Sequence, residues 1–214
     1  HGQGIFSSSD GSKYVGEYKF GKKDGQGTLT HSDGIIYVGM FKDGVRHGKG
    51  KETYQDMNII KGVWKNDIFW NGFGREKVSD GKKIRDFYDG GKITKKELTL
   101  TNGDKYFGEL KNDKFDGQGT FTWSDGGQYI GEFKNGKYNG QGEYTYGNGE
   151  WEGQKYEGTF KNGKYNGQGT YTWSDGRKFV GEFNLGRFWN GIEYDISGKN
   201  NIKIIDGKIK INKN

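Results

Sequence analysis

Three histidines and a spaced set of glutamates are the side chains in this sequence best suited to proton transfer. His1, His31 and His47 lie far apart along the chain, and no second residue in the sequence pairs with any of them. One glutamate position recurs: Glu17, Glu109, Glu132 and Glu182. Because a catalytic pair would break such symmetry, we expect these carboxylates to form a solvated row opposite lysines. The lysines are Lys19, Lys111 and Lys134. We therefore predict a non-enzymatic protein without catalytic residues.

The residue types also argue against a metal or cofactor site. The sequence has no cysteine, which excludes disulfides and thiolate metal sites. It has no Asp-x-Asp spacing of the kind found in calcium loops. Gly147-Asn148-Gly149 is not accompanied by the Lys-Ser/Thr pair and the helix of a phosphate-binding loop. We predict no metal and no cofactor.

The strongest pattern in the chain is an internal repeat. Residues 129–142 return almost letter for letter at residues 156–169. One position recurs at intervals that are mostly 23 residues: Tyr14, Tyr37, Tyr106, Tyr129, Tyr156 and Phe179, with Ile60 and Lys83 in the same slots. A pattern of this length that fills the chain indicates a stack of small repeats, each contacting mainly its neighbours.

Composition favours strands joined by tight turns. The 214 residues include 41 Gly and neither Pro nor Ala, so the best helix former is missing. Asn-Gly and Asp-Gly pairs, such as Asn135-Gly136, tolerate the positive φ that hairpin turns require. Between the turns, short segments alternate with a period of two. We predict an all-β fold, an elongated, twisted, single-layer antiparallel β-meander of about eight 23-residue hairpin repeats.

Charge and hydropathy limit the partners and the location. The net charge of +6 is spread over both halves of the chain and forms no basic tail, so we expect no nucleic-acid partner. No apolar run approaches the roughly 18 residues of a membrane span. The sequence begins at His1 in the middle of a repeat, so we expect a fragment whose signal peptide, where one exists, lies upstream. We expect a cytoplasmic or membrane-peripheral location.

Side-chain alternation assigns most aromatic residues to one face of the sheet. Tyr14, Gly16 and Tyr18 share a face, and the glycine leaves room for a trough into which neighbouring rings lie. The aromatic residues predicted to line this trough are Tyr14, Tyr18, Tyr37, Phe41, Trp64, Tyr106, Phe121, Trp123, Tyr129, Phe133, Tyr144, Tyr156, Phe160, Tyr171, Trp173, Phe179 and Phe183. Two interpretations remain open, a trough that is only core and a core that also forms a binding groove.

The repeats are not uniform along the chain. Segment 69–72 recurs at 188–191, and the glycine pattern degrades around Lys83. We therefore expect two sub-arrays, residues 1–92 and 93–214, joined in one sheet that bends or twists between them. The end of the sequence predicts a C-terminal capping hairpin with four isoleucines on one face. They are Ile202, Ile204, Ile209 and Ile211.

The repeating unit resembles a known family. Its pattern, Tyr-x-Gly-Glu-(Phe/Tyr)-Lys-(Asn/Asp)-Gly-x-x-x-Gly-x-Gly, is similar to the MORN repeat, the membrane occupation and recognition nexus. Residues 37–50, 129–142 and 156–169 carry it best, and it is weakest from Ile60 to Thr101. The resemblance implies a non-catalytic, elongated β-sheet module. Members of the family serve as protein–protein scaffolds, as dimerisation modules and as binders of anionic phospholipid.

Three kinds of function are compatible with these features. The leading hypothesis is a scaffold for protein–protein interaction or self-association, in which the trough accepts a partner's amphipathic helix or a sheet edge pairs with another chain or a second copy. The alternative is peripheral binding to anionic phospholipid headgroups through basic residues in successive inter-strand loops. These residues are Lys22, Lys23, Arg46, Lys49 and Lys51. Glycan binding by stacking on the rings is a third.

One irregularity in the spacing singles out a loop. The step from Tyr129 to Tyr156 is longer than the others by four residues, and the insertion lies around residues 149–153. It contains Trp151 between two acidic residues. The loop is either a tolerated insertion or a partner-contact loop in which Trp151 is the anchor.

Overall fold

Strands and tight turns make up nearly all of the chain. The computed structural model describes residues 1–210, and no residue in that range is helical. The chain divides into two compact units, His1–Glu97 and Leu98–Asn214. Within each unit, consecutive strands pair in antiparallel fashion. The predicted all-β antiparallel meander is therefore confirmed.

The strands are numbered in chain order. Those of the first unit are β1 (Gly2–Ser7), β2 (Lys13–Lys19), β3 (Lys22–Thr30), β4 (Ile36–Lys42), β5 (Val45–Thr53), β6 (Ile59–Lys65), β7 (Ile68–Ser79) and β8 (Lys82–Asp89), followed by β9 (Lys92–Thr99), which extends past the boundary. Those of the second unit are β10 (Lys105–Lys111), β11 (Lys114–Thr122), β12 (Gln128–Lys134), β13 (Lys137–Thr145), β14 (Lys155–Lys161), β15 (Lys164–Thr172), β16 (Lys178–Asn184), β17 (Arg187–Tyr194), β18 (Asn200–Ile205) and β19 (Lys208–Lys210).

The hairpin turns adopt the left-handed backbone that their sequences predict. Asn135 and Gly136 have φ angles of 50° and 80°, the signs that a type I′ turn requires at both central positions. Leu185 has a φ of 51° in an equivalent turn, although its apolar side chain cannot form the local hydrogen bonds that make this conformation tolerable for Asn. Leu185 is also 65% exposed. Local sequence preference does not explain a leucine at this turn.

Six of the eight repeats pack around a buried anchor ring that lies over glycines of paired strands, whereas Ile60 and Lys83 hold the anchor position in the other two. Tyr129 on β12 is fully buried, and a Cβ at Gly131 or Gly142 would lie within 2.7 Å of its hydroxyl oxygen. The ring thus occupies the space left by two missing side chains. Its hydroxyl donates a hydrogen bond to the carbonyl oxygen of Glu132 at 2.8 Å. The corresponding bond, to the residue three positions later, is formed by Tyr14, Tyr37, Tyr106 and Tyr156.

Phenylalanine rings connect the anchors of neighbouring repeats. Phe160 contacts Tyr129 and Tyr156 edge-to-face, with ring centroids 5.0 and 5.1 Å apart. Phe183 contacts Tyr156 in the same way at 4.7 Å. Such pairs contribute roughly 0.5–1.5 kcal/mol each beyond the area that they bury. The resulting ladder of rings is the core of the second unit, and a shorter ladder built on Tyr14 and Tyr37 is the core of the first.

The recurring glutamates bind backbone amides of the neighbouring strand. The Oε1 atom of Glu17 accepts a hydrogen bond from the Gln26 amide at 3.1 Å, and Oε1 of Glu132 accepts one from the Gln141 amide at the same distance. Within residues 1–210, no ion pair joins the recurring glutamates to Lys19, Lys111 or Lys134. Instead of a solvated row opposite lysines, Glu17, Glu109 and Glu132 accept hydrogen bonds from backbone amides of the glycine-rich segment.

The C-terminal hairpin has the register that its Asp-Gly turn predicts. Ile204 lies opposite Ile209 across the turn, and Ile204 is 9% exposed. Ile202 and Ile204 pack against the aromatic core of the second unit, whereas Ile209 is 62% exposed. The predicted pairing of Ile202 with Ile211 lies outside the described residues.

Candidate functional site

One slot of the repeat decides whether the aromatic face is open or covered. It is the second residue of the strand that follows each anchor strand. In the second unit this slot holds a ring that stacks on the anchor. Tyr138 stacks on Tyr129 with centroids 4.0 Å apart, and Tyr165 stacks on Tyr156 at 3.9 Å. Phe115 and Phe188 occupy the same slot over Tyr106 and Phe179.

In the first unit the same slot holds a cation after Tyr14 and after Tyr37, whereas a ring, Phe69, holds it after Ile60. Lys23 Nζ lies 5.1 Å from the centroid of the Tyr14 ring, and the Arg46 guanidinium lies 5.6 Å from that of Tyr37. Arg46 is held in place by ion pairs to Glu52 at 2.9 Å and to Asp67 at 3.1 Å. Charged side chains therefore lie over the two tyrosine anchors of the first unit, so the aromatic trough is not uniform along the chain.

The second unit has a second layer of aromatic side chains above the anchors. Trp123 contacts Tyr144 with centroids 5.1 Å apart, and Tyr144 contacts Tyr146 at 4.8 Å. Further along, Trp173 contacts Tyr171 at 5.2 Å. These rings are half-buried, except Tyr171, which is 9% exposed. Because their outer faces reach solvent, this layer offers the apolar surface that the buried anchors lack.

Three adjoining cavities follow this layer and share Tyr146. They have volumes of about 300, 420 and 340 Å³. We call the surface that they form the aromatic groove. The residues that line it and reach solvent include Trp123, Tyr138, Tyr144, Tyr146, Trp151, Gln154, Lys164, Tyr165, Trp173, Leu185 and Phe188.

Three tyrosine hydroxyls inside the groove already have partners. The hydroxyl oxygens of Tyr146 and Tyr165 lie 2.9 Å apart, and the Tyr171 hydroxyl donates to the side-chain oxygen of Gln154. Burial, together with the Tyr146 hydroxyl, raises the pKa of Tyr165 above its ordinary value. Burial likewise raises the pKa of Tyr171. The hydroxyls of Tyr165 and Tyr171 are therefore uncharged at physiological pH and already hydrogen-bonded within the protein.

The inserted loop and one hairpin turn form opposite walls of the groove. Trp151 is 54% exposed and meets Tyr146 edge-to-face with centroids 5.6 Å apart. The loop is fixed by backbone hydrogen bonds from the Tyr146 amide to the Gln154 carbonyl and from the Asn148 amide to the Asp125 carbonyl, at 3.0 and 2.9 Å. Leu185, in its left-handed turn, lines the cavity on the other side.

The predicted trough residues divide into a buried set and an accessible set. The buried set, at most 9% exposed, forms the core: Tyr14, Tyr37, Phe41, Trp64, Tyr106, Tyr129, Phe133, Tyr156, Phe160, Tyr171, Phe179 and Phe183. The accessible set is Tyr18, Phe121, Trp123, Tyr144 and Trp173. The prediction did not include Phe115, Tyr138, Tyr165, Leu185 or Phe188. Three of the four rings, Phe115, Tyr138 and Tyr165, could have been found, because each lies two residues before a recurring glycine and so shares its face.

The five predicted basic residues do not form one surface. They lie within strands β3 and β5, not in inter-strand loops as the sequence suggested. Lys23 and Arg46 point to the aromatic face, where they lie over rings. Lys49 and Lys51 alternate with Arg46 and lie on the opposite face, and Lys22 is exposed at the start of β3. A single flat membrane cannot meet both faces at once.

Among residues 1–210, no cluster of three or more His, Asp or Glu side chains has the geometry to hold a metal ion. Over the same range, no helix is both long and apolar enough to span a membrane.

A meander of hairpins, most of them with an anchor ring over paired glycines, defines a β-repeat protein. The MORN repeat matches residues 1–13, 14–36, 37–56, 106–128, 129–151 and 156–176. These segments amount to more than half of the 214 residues, and the chain belongs to the MORN repeat family. The predicted resemblance is therefore confirmed. No match falls on residues 57–105, where the glycine pattern degrades.

No curated protein matches this sequence. Among solved structures, the chain is similar to the TCP10 domain of Danio rerio CPAP in complex with a peptide of Danio rerio STIL, at 14% identity and a TM-score of 0.37, over 95% of this chain and 94% of that one. It is also similar to the CPAP G-box domain, at 12% identity and a TM-score of 0.41, over 94% and 97%. A third is the SAS-4 (dCPAP) TCP domain of Drosophila melanogaster with a proline-rich motif of Ana2, at 16% identity and a TM-score of 0.30, over 74% and 90%. Superpositions this loose carry no conclusion about ligands.

Proposed function

We propose that this protein is a non-catalytic scaffold whose aromatic groove binds an amphipathic helix of a partner protein. The observation that carries the proposal is the exposed outer layer of rings above a core that is already complete. Trp151 and Leu185 are more than half exposed, yet both face the groove. Neither is needed to bury the anchors. Large aromatic side chains in this setting are typical of the energetic centre of a protein interface.

The pairing of the strands favours a helix over an extended partner segment. Each strand from β12 to β16 is hydrogen-bonded to a neighbour on both sides. The groove floor therefore has no free backbone edge with which a partner strand could pair. A helix satisfies its own backbone groups and needs only an apolar surface for one of its faces. The hydroxyls of Tyr146 and Tyr165 are hydrogen-bonded to each other, and that of Tyr171 to Gln154.

The other two functions have weaker support. Arg46 is paired with two carboxylates and is not free to bind a phosphate headgroup, and Lys23 lies over the Tyr14 ring. A net charge of +6 over the whole chain is also a weak field, screened beyond roughly 8 Å at physiological salt. Glycan binding also needs free hydrogen-bonding groups beside the rings, whereas the hydroxyls of Tyr146, Tyr165 and Tyr171 are bonded within the protein.

A display library of amphipathic helices with varied apolar positions at i, i+3, i+4 and i+7 tests the proposal. The library is selected on the full chain, and the dissociation constants of retained helices are measured by titration. We expect retained helices to carry large apolar side chains. Their binding should weaken at least about 30-fold, which corresponds to about 2 kcal/mol, in Trp151→Glu and in Leu185→Glu. Val180→Glu is the matched control, because Val180 is 44% exposed on the opposite face.

Two results would contradict the proposal. One is a selection that retains no helix, or only helices whose binding is equally weakened by Val180→Glu. The other comes from sedimentation with phosphatidylcholine vesicles with and without phosphatidylserine. Strong, salt-sensitive binding to the anionic vesicles, lost when Lys22, Lys23 and Arg46 are all replaced by Glu, would favour the phospholipid function instead.

A further inference from the structure

The face opposite the aromatic face, here called the back face, carries a row of exposed side chains across the strands of each unit. In the first unit, strand register places Val38 opposite Lys51, Lys51 opposite Lys61, and Lys61 opposite Phe73. Val38 and Phe73 are 47% and 37% exposed. These residues border a concavity of about 770 Å³, which Lys49 also lines. Two lysines on adjacent strands, Lys51 and Lys61, are therefore flanked by an exposed apolar side chain on each side.

The two lysines in this row are an unfavourable pair. Residues directly opposite in antiparallel strands have Cβ atoms about 4.5–5.5 Å apart, where like charges destabilise the sheet. No described ion pair includes Lys49, Lys51 or Lys61. An acidic surface brought against this concavity would remove the repulsion and cover the exposed apolar side chains at the same time.

The back face of the second unit carries the opposite charge at the same places in the repeat. Register places Ile130 opposite Glu143 and Glu143 opposite Glu157. Both carboxylates are shared by one cation, because Lys155 Nζ lies 3.4 Å from Glu143 and 3.1 Å from Glu157. One negative charge of this group is therefore left unbalanced. Val180, 44% exposed, continues the row two strands further.

We propose that a second copy of this chain covers the back face, with the lysine row of one copy's first unit against the glutamate row of the other copy's second unit. The spacing supports this occupant. Two lysines on adjacent strands and two glutamates on adjacent strands are each separated by one strand spacing, about 4.8 Å. Lys51 and Lys61 therefore come level with Glu143 and Glu157, and Val38 then meets Ile130, the apolar position next to the glutamates. This interface uses the other face of the sheet and does not depend on the aromatic groove.

A charge-swap experiment on the full chain tests the pairing. The acidic variant is Lys51→Glu/Lys61→Glu, and the basic variant is Glu143→Lys/Glu157→Lys. Sedimentation equilibrium at low and high salt should show that the parent self-associates and does so less at high salt. Each variant alone should associate at least tenfold more weakly than the parent. An equimolar mixture should regain association of parental strength, because every lysine row then faces a glutamate row.

Controls separate the pairing from folding and from net charge. Far-UV circular dichroism and melting establish that each variant is folded, and the mixture provides a readout that misfolding cannot produce. The control Lys114→Glu/Lys137→Glu makes the same change in net charge as the acidic variant, but at exposed hairpin ends. It should associate like the parent. The proposal is overturned by a parent that stays monomeric at low salt. A mixture that does not associate, or variants that associate alone as strongly as the parent, overturns it equally.

Discussion

Replacing Gly158 by valine tests the packing of the anchor rings most directly. A Cβ at this position would lie 2.6 Å from the Gln168 carbonyl oxygen, from the Gly169 Cα and from the Tyr156 hydroxyl oxygen. Two of these atoms are backbone of the paired strand, so relief requires that the Tyr156 ring move or that β14 and β15 separate. Overpacking of this kind costs about 1–3 kcal/mol. Loss of the Tyr156 bond to the Thr159 carbonyl adds about 1 kcal/mol.

We therefore expect Gly158→Val to lower the free energy of unfolding by roughly 2–4 kcal/mol, which for a chain of this length lowers the melting temperature by roughly 4–16 °C. Thermal melts followed by circular dichroism measure the change. Glu157→Val is the matched control, because Glu157 is the preceding residue and is exposed on the back face. It should change stability by no more than about 0.5 kcal/mol. A Gly158→Val protein that melts with the parent would refute the assignment of the anchor ring to the paired glycines.

Three further predictions concern the groove and the dependence of stability on pH. Trp151→Ala should change the free energy of unfolding by no more than about 0.5 kcal/mol, yet weaken the binding of selected helices about 30-fold; a large loss of stability would make Trp151 part of the core. Burial raises the pKa of Tyr37 and of Tyr156 from the ordinary value of 10 to about 12. The contribution of these tyrosines to stability should be constant below pH 10 and fall as pH rises from 10 to 12, because in that range they ionise only in the unfolded chain. Tyrosinate absorbance should rise together with the loss of β-sheet circular dichroism, and ionisation of these tyrosines in the folded state would contradict this. The Ser197 hydroxyl and the backbone amide of Lys199 hold the pKa of Asp195 below its ordinary value of 3.8. The ionised Asp195 therefore contributes to the free energy of unfolding above pH 3.8, and this contribution is lost as pH falls through the lower folded-state pKa. NMR titration of Ser197→Ala should show a higher pKa for Asp195.

The candidate site was predictable only in part. Alternation with a period of two placed Trp123 and Trp173 on the anchor face, and the irregular spacing singled out Trp151. Leu185 could not be predicted, because a leucine in a left-handed turn is locally unfavourable and only the fold reveals the groove beside it. The basic residues were assigned to one surface because linear spacing does not show that Arg46 and Lys49 lie on opposite faces of β5.

The sequence by itself determined the β-meander, the register of its hairpins and the anchor positions. These depend on local rules: the period of two, the positive φ of Asn-Gly turns, and glycines that leave space for a ring. Only the tertiary structure decided which of these rings reach solvent. That outcome depends on the residue in one slot, a cation such as Arg46 in the first unit and a ring such as Tyr165 in the second, and on the partners that hold it. It also decided that like-charged residues such as Lys51 and Lys61 lie side by side, because strand pairing brings together residues that are distant in sequence.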